Sequence, residues 1–186
     1  LAICYTMIIP FLPIYLLELG VPKADVALWS GLVFGITFLI AGIMAPIWGK
    51  IADNKGKKRM ALRAGFAIAV SYVLIGMVTD QYQLLMGRAL VGFANGFYPA
   101  AMTMVSLSVD EKQVGRALGI FQTGLILGNV IGPFLGGAVE SVVGMRPVFY
   151  ISGIAVLIAT LAALFLVKQP KLEVENTTSK EQSKQP

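Results

Sequence analysis

Six apolar runs of about twenty residues dominate this sequence, at about 1–19, 28–48, 60–79, 83–107, 117–138 and 147–167, with short loops between them. A helix of that length spans the roughly 30 Å hydrocarbon core of a bilayer. A soluble fold would need a charged surface, yet only 13% of residues are charged, where about 25% is usual for soluble domains. The expected architecture is therefore an all-α membrane protein of six transmembrane helices, its outer surface facing lipid.

Leu1 already lies inside the first run, with neither the basic flank nor the small-residue cleavage site of a secretory signal peptide. The first helix is expected to lack its opening residues, and the chain to be a fragment. Residues 1–170 form the bundle in this reading. The polar, mixed-charge segment KLEVENTTSKEQSKQP forms a flexible cytoplasmic linker over 171–186.

Loop charges orient the helices, because Lys and Arg near helix ends favour the cytoplasmic side. The stretch GKIADNKGKKR, residues 49–59, is the densest basic cluster. With that loop inside, twelve basic residues fall on the cytoplasmic side and two, Lys23 and Arg146, outside, while Arg88 lies within a span. Both termini are then cytoplasmic in a multi-pass cell-membrane protein. The basic balance does not imply nucleic acid, since the aromatic-interleaved basic groove of such binders is absent.

An internal repeat follows from comparing the second and fifth runs. Pro46, Gly49 and Asp53 recur as Pro133, Gly136 and Glu140 at a constant offset of 87, and Gly56-x-Lys58 recurs as Gly144-x-Arg146 with a slip of one. The two runs cross in opposite directions, so the repeated segments end on opposite faces. That is the pattern of a 3+3 inverted repeat, an arrangement that alternating access exploits directly.

Gly49-x-x-x-Asp53-x-x-Gly56-x-Lys58 resembles the signature between helices two and three of the major facilitator superfamily. The resemblance covers essentially residues 1–170. It implies a transporter of two six-helix bundles, with this chain as the N-terminal bundle and a C-terminal six-helix half as its partner. Gly49 is expected to permit close helix approach, Gly56 to take the positive φ of a tight turn, and Asp53 to sit just past the helix. In the family this acid latches the cytoplasmic side against the other bundle. Asn54 stands where the family often carries Arg or Lys, which weakens the correspondence of the charge network.

Two further motifs narrow the family. Leu84-x-x-x-Arg88-x-x-x-Gly92 is similar to a motif of drug–proton antiporters in which the arginine is linked to proton transfer, although Val91 departs from the usual Gln. Gly119-x8-Gly128-x-x-x-Gly132-Pro133-x-x-Gly136-Gly137 matches the spacing of the signature that marks antiporters. Gly124, Gly128, Gly132 and Gly136 form a smooth stripe suited to close helix contact, and Pro133 is expected to kink the helix. The resemblance implies that this face packs against the other bundle near the outside. Pro10 and Pro13 are expected to bend the first helix.

A pocket between such bundles is lined by apolar and aromatic side chains with a few polar groups. Candidates are Tyr5, Phe34, Phe38, Asn95, Tyr98, Met102, Phe121, Gln122 and Asn129. Asn95, Tyr98 and Met102 are preferred, because i, i+3 and i+7 spacing would place them on one helix face; Gln122 is the polar candidate on the fifth helix. No Asp or Glu lies deep in any span, Glu18 and Glu140 being at helix ends. With no histidine, one cysteine (Cys4) and no phosphate-binding glycine loop, the sequence carries no catalytic constellation, metal site or nucleotide-hydrolysis motif. The expected protein is not an enzyme and needs no cofactor. It exports lipophilic drug-like compounds in exchange for protons, using the proton gradient as its energy source. The alternative is a carrier of the same superfamily for one small metabolite such as a sugar.

Overall fold

The computed structural model describes residues 2–166, with the side chains of Asp53, Lys55, Phe97, Pro99, Ala100 and Leu166 outside that set. The expected linker, 171–186, also lies outside it. Every regular element among the described residues is helical. Helix α1 (Ala2–Thr6) leads through a 3-10 turn (Ile9–Phe11) into α2 (Leu12–Glu18). Then come α3 (Val26–Lys55), α4 (Lys57–Gly76), α5 (Gln81–Ala94) and α6 (Phe97–Leu107), followed by a 3-10 turn (Glu111–Gln113), α7 (Val114–Val143) and α8 (Met145–Leu166).

Four helices are long and apolar enough to cross a membrane, within α3, α4, the Glu111–Val143 segment and α8. Their outward side chains suit lipid: Val130, Phe134 and Phe165 are all largely exposed. The first run is a shorter apolar unit, Ala2–Glu18, broken by the turn that contains Pro10. The fourth run, expected to be continuous over 83–107, is two helices separated at Asn95 and Gly96. The cause is local. Pro99 has no N–H to donate to the carbonyl four residues back, on Asn95, so a continuous helix would lose that bond and crowd that carbonyl. Pro46 and Pro133, by contrast, sit inside α3 and α7 without ending them.

Helices α3 and α7 resemble each other closely. Helices α3 and α7 are each 30 residues long with an internal proline. Each ends at a glycine of positive φ, +92° at Gly56 and +80° at Gly144, and the next helix starts one residue later. The amide of Gly56 closes on the Ala52 carbonyl at 3.0 Å and that of Gly144 on the Glu140 carbonyl at 2.8 Å. In the packing, α3 lies along α5, α1 along α7, and α4 along α8.

The core sits where α4 and α8 meet the bent first unit. The Tyr15 hydroxyl donates to the Ile75 carbonyl (3.0 Å), and its ring lies 5.0 Å from that of Phe149. Arg146 donates to the Val78 carbonyl (3.2 Å), tying the start of α8 to the end of α4. Glycines let these helices approach. A Cβ on Gly153 would meet the Ala69 carbonyl at 3.1 Å, and one on Gly76 would meet the Tyr150 ring at 2.8 Å.

Candidate functional site

Three places gather the residues that the motifs single out. The first is the seam between α7 and α1. A Cβ on Gly128 would fall 2.7 Å from that of Ala2, and one on Gly132 would fall 2.8 Å from the Ile3 carbonyl and against the Thr6 hydroxyl. At Gly136 it would strike the Met7 carbonyl, and at Gly137 it would press on the Phe11 ring (3.1 Å). The Thr6 hydroxyl donates to the Gly128 carbonyl across the seam (3.0 Å). Gly128 and Gly132 are covered by α1 of this chain and Gly136 by Met7 just after it, whereas a Cβ on Gly119 or Gly124 would meet nothing within 4 Å. The stripe turns inward because α1 offers small and short side chains, Ala2 and Thr6, at matching heights. Pro133 lies inside α7 next to this seam.

The second place is the turn from α3 to α4. Gly56 has the positive φ expected of it and caps α3. Asp53 is not past the helix: α3 continues to Lys55, so Asp53 stands on its last turn, and its side chain lies outside the described set. Nor is Gly49 a point of close approach among the described residues, since a Cβ there would meet nothing within 4 Å. Lys58 donates to the Leu164 carbonyl at 2.7 Å. It thereby supplies a cation to carbonyls in the last turn of α8, where the helix dipole favours one.

The third place is the break in the fourth run. Asn95 and Gly96 open on to a cavity of ≈ 480 Å³ between α3, α4 and α6, lined also by Trp48, Gly49, Met60 and Tyr98. Non-helical backbone at membrane depth is tolerated where it lines a cavity. Trp48 is held rigidly: its indole N–H donates to the Phe93 carbonyl (2.8 Å), Phe93 meets it edge-on, and the Arg63 guanidinium stacks 3.5 Å from its ring. Tyr98 accepts from Gln122 Nε2 (3.0 Å) and rests near Phe121.

The helical-face argument for Asn95, Tyr98 and Met102 fails, because the break falls between the first two and Asn95 caps α5 instead. Asn95 and Tyr98 still share the cavity; Met102 is not among its lining residues. Gln122 reaches Tyr98 from α7. Trp48, which the sequence reading passed over, is the best-anchored wall of the cavity. Its signal was its place beside the repeated Pro46 and Gly49.

Arg88 does not snorkel. It is 1% exposed on α5, and its Nε and one terminal nitrogen have no hydrogen-bond partner. The phenols of Tyr5 and Tyr72 lie within electrostatic reach, and the Tyr72 hydroxyl is also unpaired and buried. The Arg88 carbonyl accepts from Thr37 (3.2 Å), which fixes α5 against α3. A buried cation with unused donors is costly unless an anion or water reaches it.

A family model described as Major Facilitator Superfamily matches residues 1–186. Proteins named "Multidrug resistance protein MdtG" are similar to this chain: 42% identical in Proteus mirabilis, 38% in Dickeya zeae and 39% in Citrobacter koseri. Each match runs over 166 residues, 89% of this chain and 41% of the relative. The chain thus spans about two-fifths of the length of these relatives.

Proposed function

This chain belongs to the major facilitator superfamily, and on that footing we propose that it forms the N-terminal bundle of a transporter that exports lipophilic compounds in exchange for protons. The observation that carries the reading is the interrupted fourth span, whose break at Asn95–Gly96 opens on to an aromatic-walled cavity. Broken helices beside a cavity are how secondary transporters build substrate sites. The mostly apolar wall of Trp48, Met60 and Tyr98 suits a lipophilic guest better than a sugar's hydroxyls. The relatives' name, multidrug resistance protein, supports the same direction.

In this reading residues 1–170 hold six spans as a 3+3 inverted repeat, in which the two broken units, the two 30-residue helices and the α4–α8 pair correspond. Segment 171–186 is the linker to a second six-helix half, both ends of the chain are cytoplasmic, and the proton gradient is the only energy source. Asp53, Gly56 and Lys58 form the cytoplasmic gate, and Gly49 offers its open face to the second half. Arg88 is the proton-coupling cation, its free donors awaiting a carboxylate or water during the cycle. Asn95, Tyr98 and Gln122 contact substrate, with Met102 beside them. The glycine seam of α7 holds α1 rigid while the halves rock.

The test uses the full-length transporter in proteoliposomes with an imposed pH gradient, following efflux of a lipophilic fluorescent dye. Efflux abolished by an uncoupler is expected. No dye movement in sealed, loaded vesicles would retire the multidrug reading in favour of a narrow metabolite carrier. Asp53→Asn should abolish this efflux with insertion and topology intact; unchanged efflux would remove the latch.

A further inference from the structure

On α4, Arg63, Phe66, Val70 and Leu74 follow one another at helical spacing, and with Leu90 and Phe93 of α5 they line a groove of ≈ 540 Å³. The five apolar side chains are each about half exposed. From Arg63 to Leu74 the helix rises about 16 Å, close to one leaflet of the hydrocarbon core, about 15 Å. Arg63 is the only charged residue among the described lining residues. It stands at the end of the groove nearest Lys57, Lys58 and Arg59, where α4 leaves the apolar region. One face of its guanidinium covers Trp48, and Nε and one terminal nitrogen are buried there without a hydrogen-bond partner.

The groove therefore combines a leaflet-long apolar channel with an incompletely satisfied cation at its interfacial end. A free phosphate would satisfy the cation and leave the channel unused; a neutral acyl chain would do the reverse. We propose that this groove binds an anionic phospholipid, one acyl chain lying between α4 and α5 and the phosphate paired with Arg63. The described lining residues of the groove include none of those that line the cavity at Asn95–Gly96, and the site does not depend on what is transported. Its charge selectivity follows from basic residues at the membrane surface drawing acidic lipids.

The experiment is native mass spectrometry of the full-length transporter in lipid-depleted micelles, titrated with phosphatidylglycerol and phosphatidylcholine of identical acyl chains. The wild type should retain phosphatidylglycerol about fivefold better, the worth of one well-placed cation. Arg63→Gln should bring the two lipids to equal retention. Ala67→Phe, which fills the groove without touching the charge, should weaken retention of both. Inorganic phosphate should displace neither. Equal retention by the wild type would overturn the proposal, and so would full selectivity in Arg63→Gln, which would assign the preference to Lys57–Arg59. Undiminished binding by Ala67→Phe, or displacement by inorganic phosphate, would overturn the lipid as occupant.

Discussion

Helices α3 and α7 share a 30-residue length, an internal proline and a positive-φ glycine at the C-terminus, yet their glycines meet opposite surroundings. On α7, Gly128 and Gly132 press on the backbone or short side chains of α1, and Gly136 on the Met7 backbone that follows it. On α3, a Cβ at Gly31, Gly35, Gly42 or Gly49 would meet nothing within 4 Å. The close approach of α3 to its neighbour is made by the other partner: Gly92 of α5 would place a Cβ 2.5 Å from the Thr37 carbonyl. One glycine per contact is enough, and either helix of the pair can supply it. The difference leaves α3 with a free face, and part of that face, at Gly49 and Trp48, becomes cavity wall.

The largest effect that bears on this contrast is expected from Gly132→Leu. It would drive a branched side chain into the Ile3 carbonyl and Thr6, destabilising the seam by about 3 kcal/mol. Gly49→Leu should change stability by no more than about 0.5 kcal/mol. Thermal melts of the detergent-solubilised full-length protein compare the two, and equal losses would break the distinction. A smaller effect belongs to the caps. Gly56→Ala and Gly144→Ala should each cost about 2 kcal/mol, because both combine a positive φ with an extended ψ that only glycine adopts readily. A large disparity between them in the same assay would show that only one turn is structural. Smallest are Thr6→Val and Thr37→Val, which each delete a cross-helix hydroxyl bond, worth about 0.6 kcal/mol in membrane bundles. Hydrogen exchange should show local loosening confined to α1–α7 in the first and α3–α5 in the second.

Much of this was legible before any coordinates. Run length located the apolar helices, and Pro10 marked the break in the first unit. The positions of Pro46, Pro133, Gly56 and Gly144 revealed the likeness of α3 and α7, because proline and positive-φ glycine impose backbone geometry locally. What escaped was decided by partners. The glycine stripe declares that α7 is approached closely, but only packing shows α1 as the neighbour. The break at Asn95–Gly96 was hidden by reading hydropathy through Pro99, although proline's missing donor was visible. Burial of Arg88 was likewise unreadable, since five residues of depth fit both a snorkelling and an enclosed side chain.

The claim on which the rest depends is that the two repeated turns lie on opposite faces of the membrane. In the full-length transporter with Cys4→Ser and any other cysteines replaced, single cysteines at Asn54 and Val143 can be exposed to a membrane-impermeant maleimide. The account predicts labelling of Asn54→Cys only after permeabilisation and of Val143→Cys in intact cells. Labelling of both from the same side would contradict the inverted repeat, and with it the mechanism built on it.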